Sequence, residues 1–112
     1  MNIEDITIGD ARKLSALFQN QQQSSDGPWK VGTLYQIRTV TFTYTGRLVA
    51  IHPLEIVLVD AAWIPDTGRF ANACASGDYS EVEPFPPGQQ VIIGRGSIVD
   101  ASIAPKINQS QK

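Results

Sequence analysis

Cysteine and histidine each occur once in the 112 residues, and that scarcity excludes most of the familiar site chemistry. A lone thiol, Cys74, forms no intrachain disulfide and no multi-cysteine zinc site, which fits a reducing interior. His52 by itself makes a poor zinc site, and proton transfer through it needs a partner that the sequence does not identify; an exposed turn residue is the simpler reading. Positive charge is also short, with 9 basic against 11 acidic side chains and a net charge of −2. That balance argues against a broad basic surface for gripping nucleic-acid backbones and leaves room only for a local group of arginines. No apolar run approaches a membrane span, and the opening Met1–Asp5 carries neither the basic segment nor the apolar run of a signal peptide, so a soluble, cytoplasmic protein is expected. No nucleophile with a base, no metal set and no cofactor loop is visible, so no cofactor and no enzymatic turnover are expected. What is present is 42% hydrophobic residues, enough for one small domain with a modest core.

Texture divides the chain. Thr7 as N-cap with Asp10 three residues on predicts a short helix to about Phe18, and Ile8, Ala11, Leu14, Leu17 and Phe18 make one apolar stripe on it. Residues 1–18 are thus read as a helical arm. Residues 19–28 contain no apolar side chain before the first tryptophan and read as a polar tether. Residues 29–104 have the β-branched and aromatic alternation of a sheet domain, and 105–112 form a polar tail expected to be flexible.

Within the β-domain, Leu34 to Tyr44 reads as a strand that bends and continues through Leu48 and Ile51 to a turn at His52-Pro53. Gly46 and Gly94 are expected to permit bends. Glu55 to Ile64 is the next strand, apolar enough for burial on both faces. Residues 65–88 read as an insertion, in which Asp66 is expected to cap a short helix through Arg69, Phe70, Ala73 and Cys74, with Gly77 as its left-handed stop. Two last strands are expected near Gln89–Ile93 and Ser97–Ile103. Leu48, Ile51, Ile56, Leu58, Val91, Ile93 and Ile98 are the predicted core, with Trp63 beside them.

Gly46, Leu48 and Ile51, the turn at His52-Pro53, then Ile56, Leu58 and Asp60-Ala61 resemble the first motif of the Sm-like family, which includes a bacterial RNA-chaperone branch. Val91-Ile-Ile93, Arg95-Gly96 and Ile98 resemble the second. The resemblance spans about residues 31 to 103 and implies an all-β domain with an N-terminal helix: a small, strongly bent, five-stranded antiparallel barrel of Sm-like or SH3-like type, with an insertion before the last two strands. It also implies a homo-oligomeric ring joined through the edges of those two strands, and it makes Arg95 and Gly96 pocket residues. The chain departs from the family at His52, Pro53 and Leu54, where RNA-binding members carry an acidic residue and an aromatic or asparagine, and at Gly96, where the bacterial branch usually has a histidine. Separately, Ile37–Val40, Tyr44–Val49 and Ala61–Phe70 are similar to a small phage and prophage family.

Arg38, Arg47, Arg69 and Arg95 could converge on phosphate through guanidinium forks, with His52 near them, or serve singly as surface ion-pair partners. Asp78, Glu81 and Glu83 match no calcium-loop spacing and read as a solvated edge. Gly94-Arg-Gly96 lacks the lysine and helix of a phosphate loop, so a bend is the simpler account. Trp29 and Trp63 have the flat faces to stack on bases, although Trp63 is read as core. The reading that follows is a non-enzymatic, oligomeric binding protein of phage type in a host cell. Its ligand would be an anion, either RNA or a nucleotide-derived signal, or else a host defence protein, making it an anti-defence factor. A structural virion component such as a capsid, tail or decoration protein is the alternative.

Overall fold

The computed structural model describes residues 27–112. The predicted helical arm and nearly all of the tether lie outside them. Six antiparallel strands and one helix follow in order: β1 Leu34–Thr39, β2 Thr43–Ile51, β3 Glu55–Asp66, α1 Phe70–Ser76, β4 Glu81–Pro84, β5 Val91–Gly94 and β6 Ile98–Ile103, with a 3₁₀ turn over Arg95–Ser97. In the sheet the order is β4-β3-β2-β1-β6, and β5 pairs with β3. The long β3 serves two partners along one edge, with Glu55–Leu58 on β5 and Ala62–Asp66 on β4.

The expected continuous strand from Leu34 to Ile51 is instead a hairpin. Its turn lacks glycine, proline and asparagine, and Thr39 takes over their work. The Thr39 hydroxyl donates to the Phe42 carbonyl and accepts from the Phe42 amide, both at 2.9 Å, while the Thr39 amide reaches Phe42 O at 2.7 Å. The turn at His52-Pro53 stands as expected, closed by the His52 amide on Glu55 O at 2.8 Å.

Two register shifts bend the β2–β3 pair. Arg47 lies opposite Val59 but Thr45 opposite Ala62, so β3 holds one extra residue between them, and Asp60 takes up the slack at φ 51°. Aspartate tolerates that left-handed backbone better than most residues. The bulge also reverses parity. Before it Ile56 and Leu58 enter the main core and after it Ala61 does, leaving Ala62 and Ile64 for the opposite face. At Gly46 a Cβ would stand 3.0 Å from Leu58 Cβ and 3.1 Å from Ala61 Cβ, so the missing side chain lets the strands approach. Gly94 does not share that role: its φ is −66° and no atom crowds it.

The main core joins Tyr35, Ile37, Leu48, Ile56, Leu58, Ala61 and Ile93. Ile51, Val91 and Ile98, expected inside, are partly buried at its margin. A second cluster on the other face joins Ala62, Ile64, Ala73, Tyr79 and Val82. Residues 65–88 are therefore not a loop outside the sheet, because α1 and Tyr79 roof one sheet face and β4 adds a sixth strand. Gly77 ends α1 at φ 70°, its amide on Ala73 O at 2.8 Å, as the sequence suggests. Asp66 does not cap α1. It accepts from the Gly68 amide at 2.8 Å in a local turn, and the N-cap position belongs to Arg69. The polar residues 105–112 run back along this second cluster: Asn108 Nδ2 donates to Gly77 O, Gln109 Nε2 to Ala61 O, and Lys112 exchanges both backbone bonds with Val82 at 2.9 Å. Among the described residues no helix is long and apolar enough to cross a membrane.

Candidate functional site

The four arginines singled out from the sequence take different partners. Arg38, on β1, forks onto Asp100 of β6, with Nε 2.8 Å from Oδ1 and a second bond from its terminal nitrogen to Oδ2. The same guanidinium lies 4.5 Å from the centroid of the Phe70 ring. Their hydrogen bond holds the Asp100 carboxyl below its ordinary range and raises Arg38. The pair is about half exposed, so it contributes little to stability. Arg47, on β2, donates to Gly32 O at 2.8 Å and ties down the segment before β1. Arg95 and His52 do come together: Arg95 Nη1 donates to His52 O at 3.0 Å, and the Arg95 amide to Leu54 O at 2.9 Å. It is the His52 carbonyl that is used there, while the imidazole belongs to an exposed turn residue. Gly96 sits in the 3₁₀ turn with open space around it.

Arg69 is different. It stands exposed at the start of α1 and lines a cleft of about 690 Å³ together with Thr67, Asn72, Ser76, Ser80 and Lys112. Gly68, at φ +68°, forms one lip, where a Cβ would meet Ser80 Oγ at 2.7 Å. Asp78 also lines the cleft, but its carboxylate is engaged by Lys106 and held below the ordinary carboxylate range by that bond. The cleft thus offers two cations, the Ser80 hydroxyl and an amide, with its acid already paired, while the Thr67 and Ser76 hydroxyls donate to Gly68 O and Asn72 O. Of the acidic trio, Glu83 accepts from Gln111 Nε2 at 3.4 Å, and Glu81 and Glu83 face outward on β4. Among the described residues no three His, Cys, Asp or Glu side chains are grouped to hold a metal ion.

A buried polar chain lies between the sheet and α1. Tyr79 donates its hydroxyl to Gln36 Oε1 at 2.7 Å, and Gln36 Nε2 in turn meets Cys74 Sγ at 3.4 Å. Gln36 is only 3% exposed and Tyr79 1%. Burial first, and then the neighbouring Cys74, push Tyr79 up to about 12, so it remains a neutral donor across the physiological range. Thr45, opposite Gln36 on β2, is also buried, and its hydroxyl lacks a hydrogen-bond partner among the described residues.

Sequence reasoning did not find the remaining feature. Trp63, expected in the core, is 38% exposed, and with Phe42, Tyr44 and Phe85 it lines a hollow of about 260 Å³. The signal was spread over three strands: Tyr44 and Trp63 are cross-strand partners on β2 and β3, and Phe85 follows β4. Only the register of the sheet unites them.

No family model, no curated protein and no solved structure matches this chain.

Proposed function

We propose that this protein works by binding, not by turnover, as a homo-oligomer that holds a small phosphate-bearing ligand, of the nucleotide or short-RNA class, in the Arg69 cleft. The observation that carries the reading is the cleft itself, which sets Arg69 and Lys112 beside the Ser80 hydroxyl and the Asn72 amide while its own carboxylate is paired with Lys106. Charge-assisted forks of this kind bind a local anion without requiring a basic surface, in keeping with a net charge of −2. Arg38, Arg47 and Arg95 serve this reading less directly, since each has an internal partner.

The assembly half of the proposal rests on strand edges. β5 lies on β3 and β6 on β1, and the Arg95–Ser97 turn between them touches both hairpin turns, through Arg95 N to Leu54 O and Ser97 O to Val40 N. That order supports the reading of a bent, Sm-like barrel, although no ladder joins β5 to β6 among the described residues. The outer edges of β5 and β6 carry the exposed Ile92 (67%), Val99 (62%) and Ile103 (70%). Unpaired apolar edges invite strand addition, and two different edges on one subunit generate a closed ring when the rotation allows.

Calorimetry with inorganic phosphate, AMP, a cyclic dinucleotide and a short uridine-rich RNA tests the site, with light scattering for the oligomer. Binding of at least one anion should weaken about tenfold in Arg69→Ala, the loss of one charged hydrogen bond. If none of the four binds, or Arg69→Ala binds as well as the parent, the anion reading fails. A monomer at micromolar concentration removes the ring.

A further inference from the structure

We infer that the aromatic hollow at the β2–β3–β4 edge is a receptor for a basic side chain, arginine or lysine, presented by an extended peptide of a partner protein. This site is separate from the Arg69 cleft and does not depend on it.

The hollow is built by cross-strand register. Tyr44, Trp63 and Glu83 are successive partners across β2, β3 and β4, so their side chains leave the sheet on one face. Phe42 precedes Tyr44 by two residues and Phe85 follows Glu83 by two, and these four rings line the space. Tyr44 and Phe85 are partly buried against the main core and anchor the floor, whereas Phe42 at 47% and Trp63 at 38% exposure stand at the rim. The rings are set at steep angles, with Phe42 at 63° to Tyr44 and 87° to Trp63 and centroids 6.2 and 5.8 Å apart. A flat base stacks on a ring face lying parallel to it. Steeply crossed rings instead surround a compact group from several sides, which is how aromatic rings hold a cation through their negative faces.

Charge complementarity selects the occupant. Glu83 is exposed on β4 directly opposite Trp63, and no lysine or arginine is among the residues lining the hollow. Glu83 is not itself among the residues lining the hollow, but an adjoining hollow of about 390 Å³ that shares Phe42 and Trp63 is lined by an acid, Asp66, and by no base. Two contiguous hollows are more room than one cation fills, and the second, lined by Thr41, Thr43, Pro65 and Thr67, suits the backbone flanking the inserted side chain. The exposed Glu83 carboxylate, which accepts from Gln111 Nε2 at 3.4 Å, disfavours an anion at the neighbouring rings and favours a cation there.

The test is an NMR titration of the full chain with capped five-residue peptides that differ only at the centre: arginine, lysine, citrulline or leucine, with free tetramethylammonium as a fifth probe. The two tryptophan indole signals separate the site from its surroundings, because Trp29 packs on Tyr35 in a different hollow. The arginine and lysine peptides should shift Trp63 and leave Trp29 in place, and Glu83→Gln, a change at an exposed position, should weaken them about fivefold. Citrulline or leucine binding as well as arginine would overturn the proposal in favour of an apolar groove. Tetramethylammonium matching the peptides would overturn the peptide source, and no shift of Trp63, or none of the expected loss in Glu83→Gln, would overturn the site. Loss of the anion binding proposed for Arg69 would leave each of these outcomes unchanged.

Discussion

The two faces of the sheet are built by different rules. On one, the main core is apolar apart from the Tyr35 hydroxyl, which bonds to the backbone of Pro28 and Lys30, and it draws its side chains from strands in near-simple alternation. On the other, a small apolar cluster under α1 adjoins a chain of polar groups, Tyr79 to Gln36 to Cys74, with the Thr45 hydroxyl beside it. The strand β3 belongs to both, and the extra residue at Asp60 is where it changes allegiance. A non-directional apolar core tolerates approximate fits, whereas a buried polar chain stabilises only when every member finds its partner. The first face should therefore set how stable the domain is, and the second should set how α1 and the residues around Arg69 sit on it.

The largest break should come from the main core. Leu58→Ala is expected to cost about 2–5 kcal/mol in denaturant unfolding, since Leu58 is fully buried beneath the bend; an unchanged midpoint would show that the core collapses around the loss. Next is Gly46→Ala. The obstructing atoms are the Cβ atoms of Leu58 and Ala61, which move only with their backbones, so a loss of about 1–3 kcal/mol is expected. A neutral result would mean that the β2–β3 pair can open at its bulges.

Of similar size, and specific to the second face, is Tyr79→Phe. It leaves Gln36 Oε1 without its donor, at a cost of about 1–3 kcal/mol if water does not replace the hydroxyl. The pH dependence separates this loss from simple packing. Tyr79 is raised from 10 to about 12 in the fold, so the native state keeps the proton more tightly than the unfolded chain. Stability from this group is therefore fully present below pH about 10 and lost as pH rises toward 12. Stability measured from pH 9 to 12 should fall less steeply in Tyr79→Phe than in the parent; parallel curves would place the proton elsewhere.

Much of the main face was legible. Leu48, Ile56, Leu58 and Ile93 announce themselves by period-two spacing between turn signals, and Gly77 by its place after a short apolar helix. The hairpin at Thr39–Thr43 was not, because a threonine run serves a strand and a side-chain-closed turn equally well. Trp63 was misplaced for a related reason. Composition makes it core-like, yet its exposure depends on standing at the end of the sheet where the main core opens. Of the candidate arginines, position in the chain said only that they were available; whether each had a partner was decided by strands that meet it from elsewhere, as Asp100 meets Arg38.

By itself the sequence determined an all-β pattern, a bend at Gly46, a reversal at His52-Pro53 and a single cysteine with no second thiol in the chain to pair with, because these follow from local backbone limits and residue counts. Tertiary structure alone decided that residues 65–88 roof one sheet face and add a strand, that Asp60 switches the facing of β3, and that four aromatic rings from three regions share one hollow. Those outcomes depend on register, and one extra residue in a strand sends every later side chain to the other face, a shift that no local pattern of residues encodes.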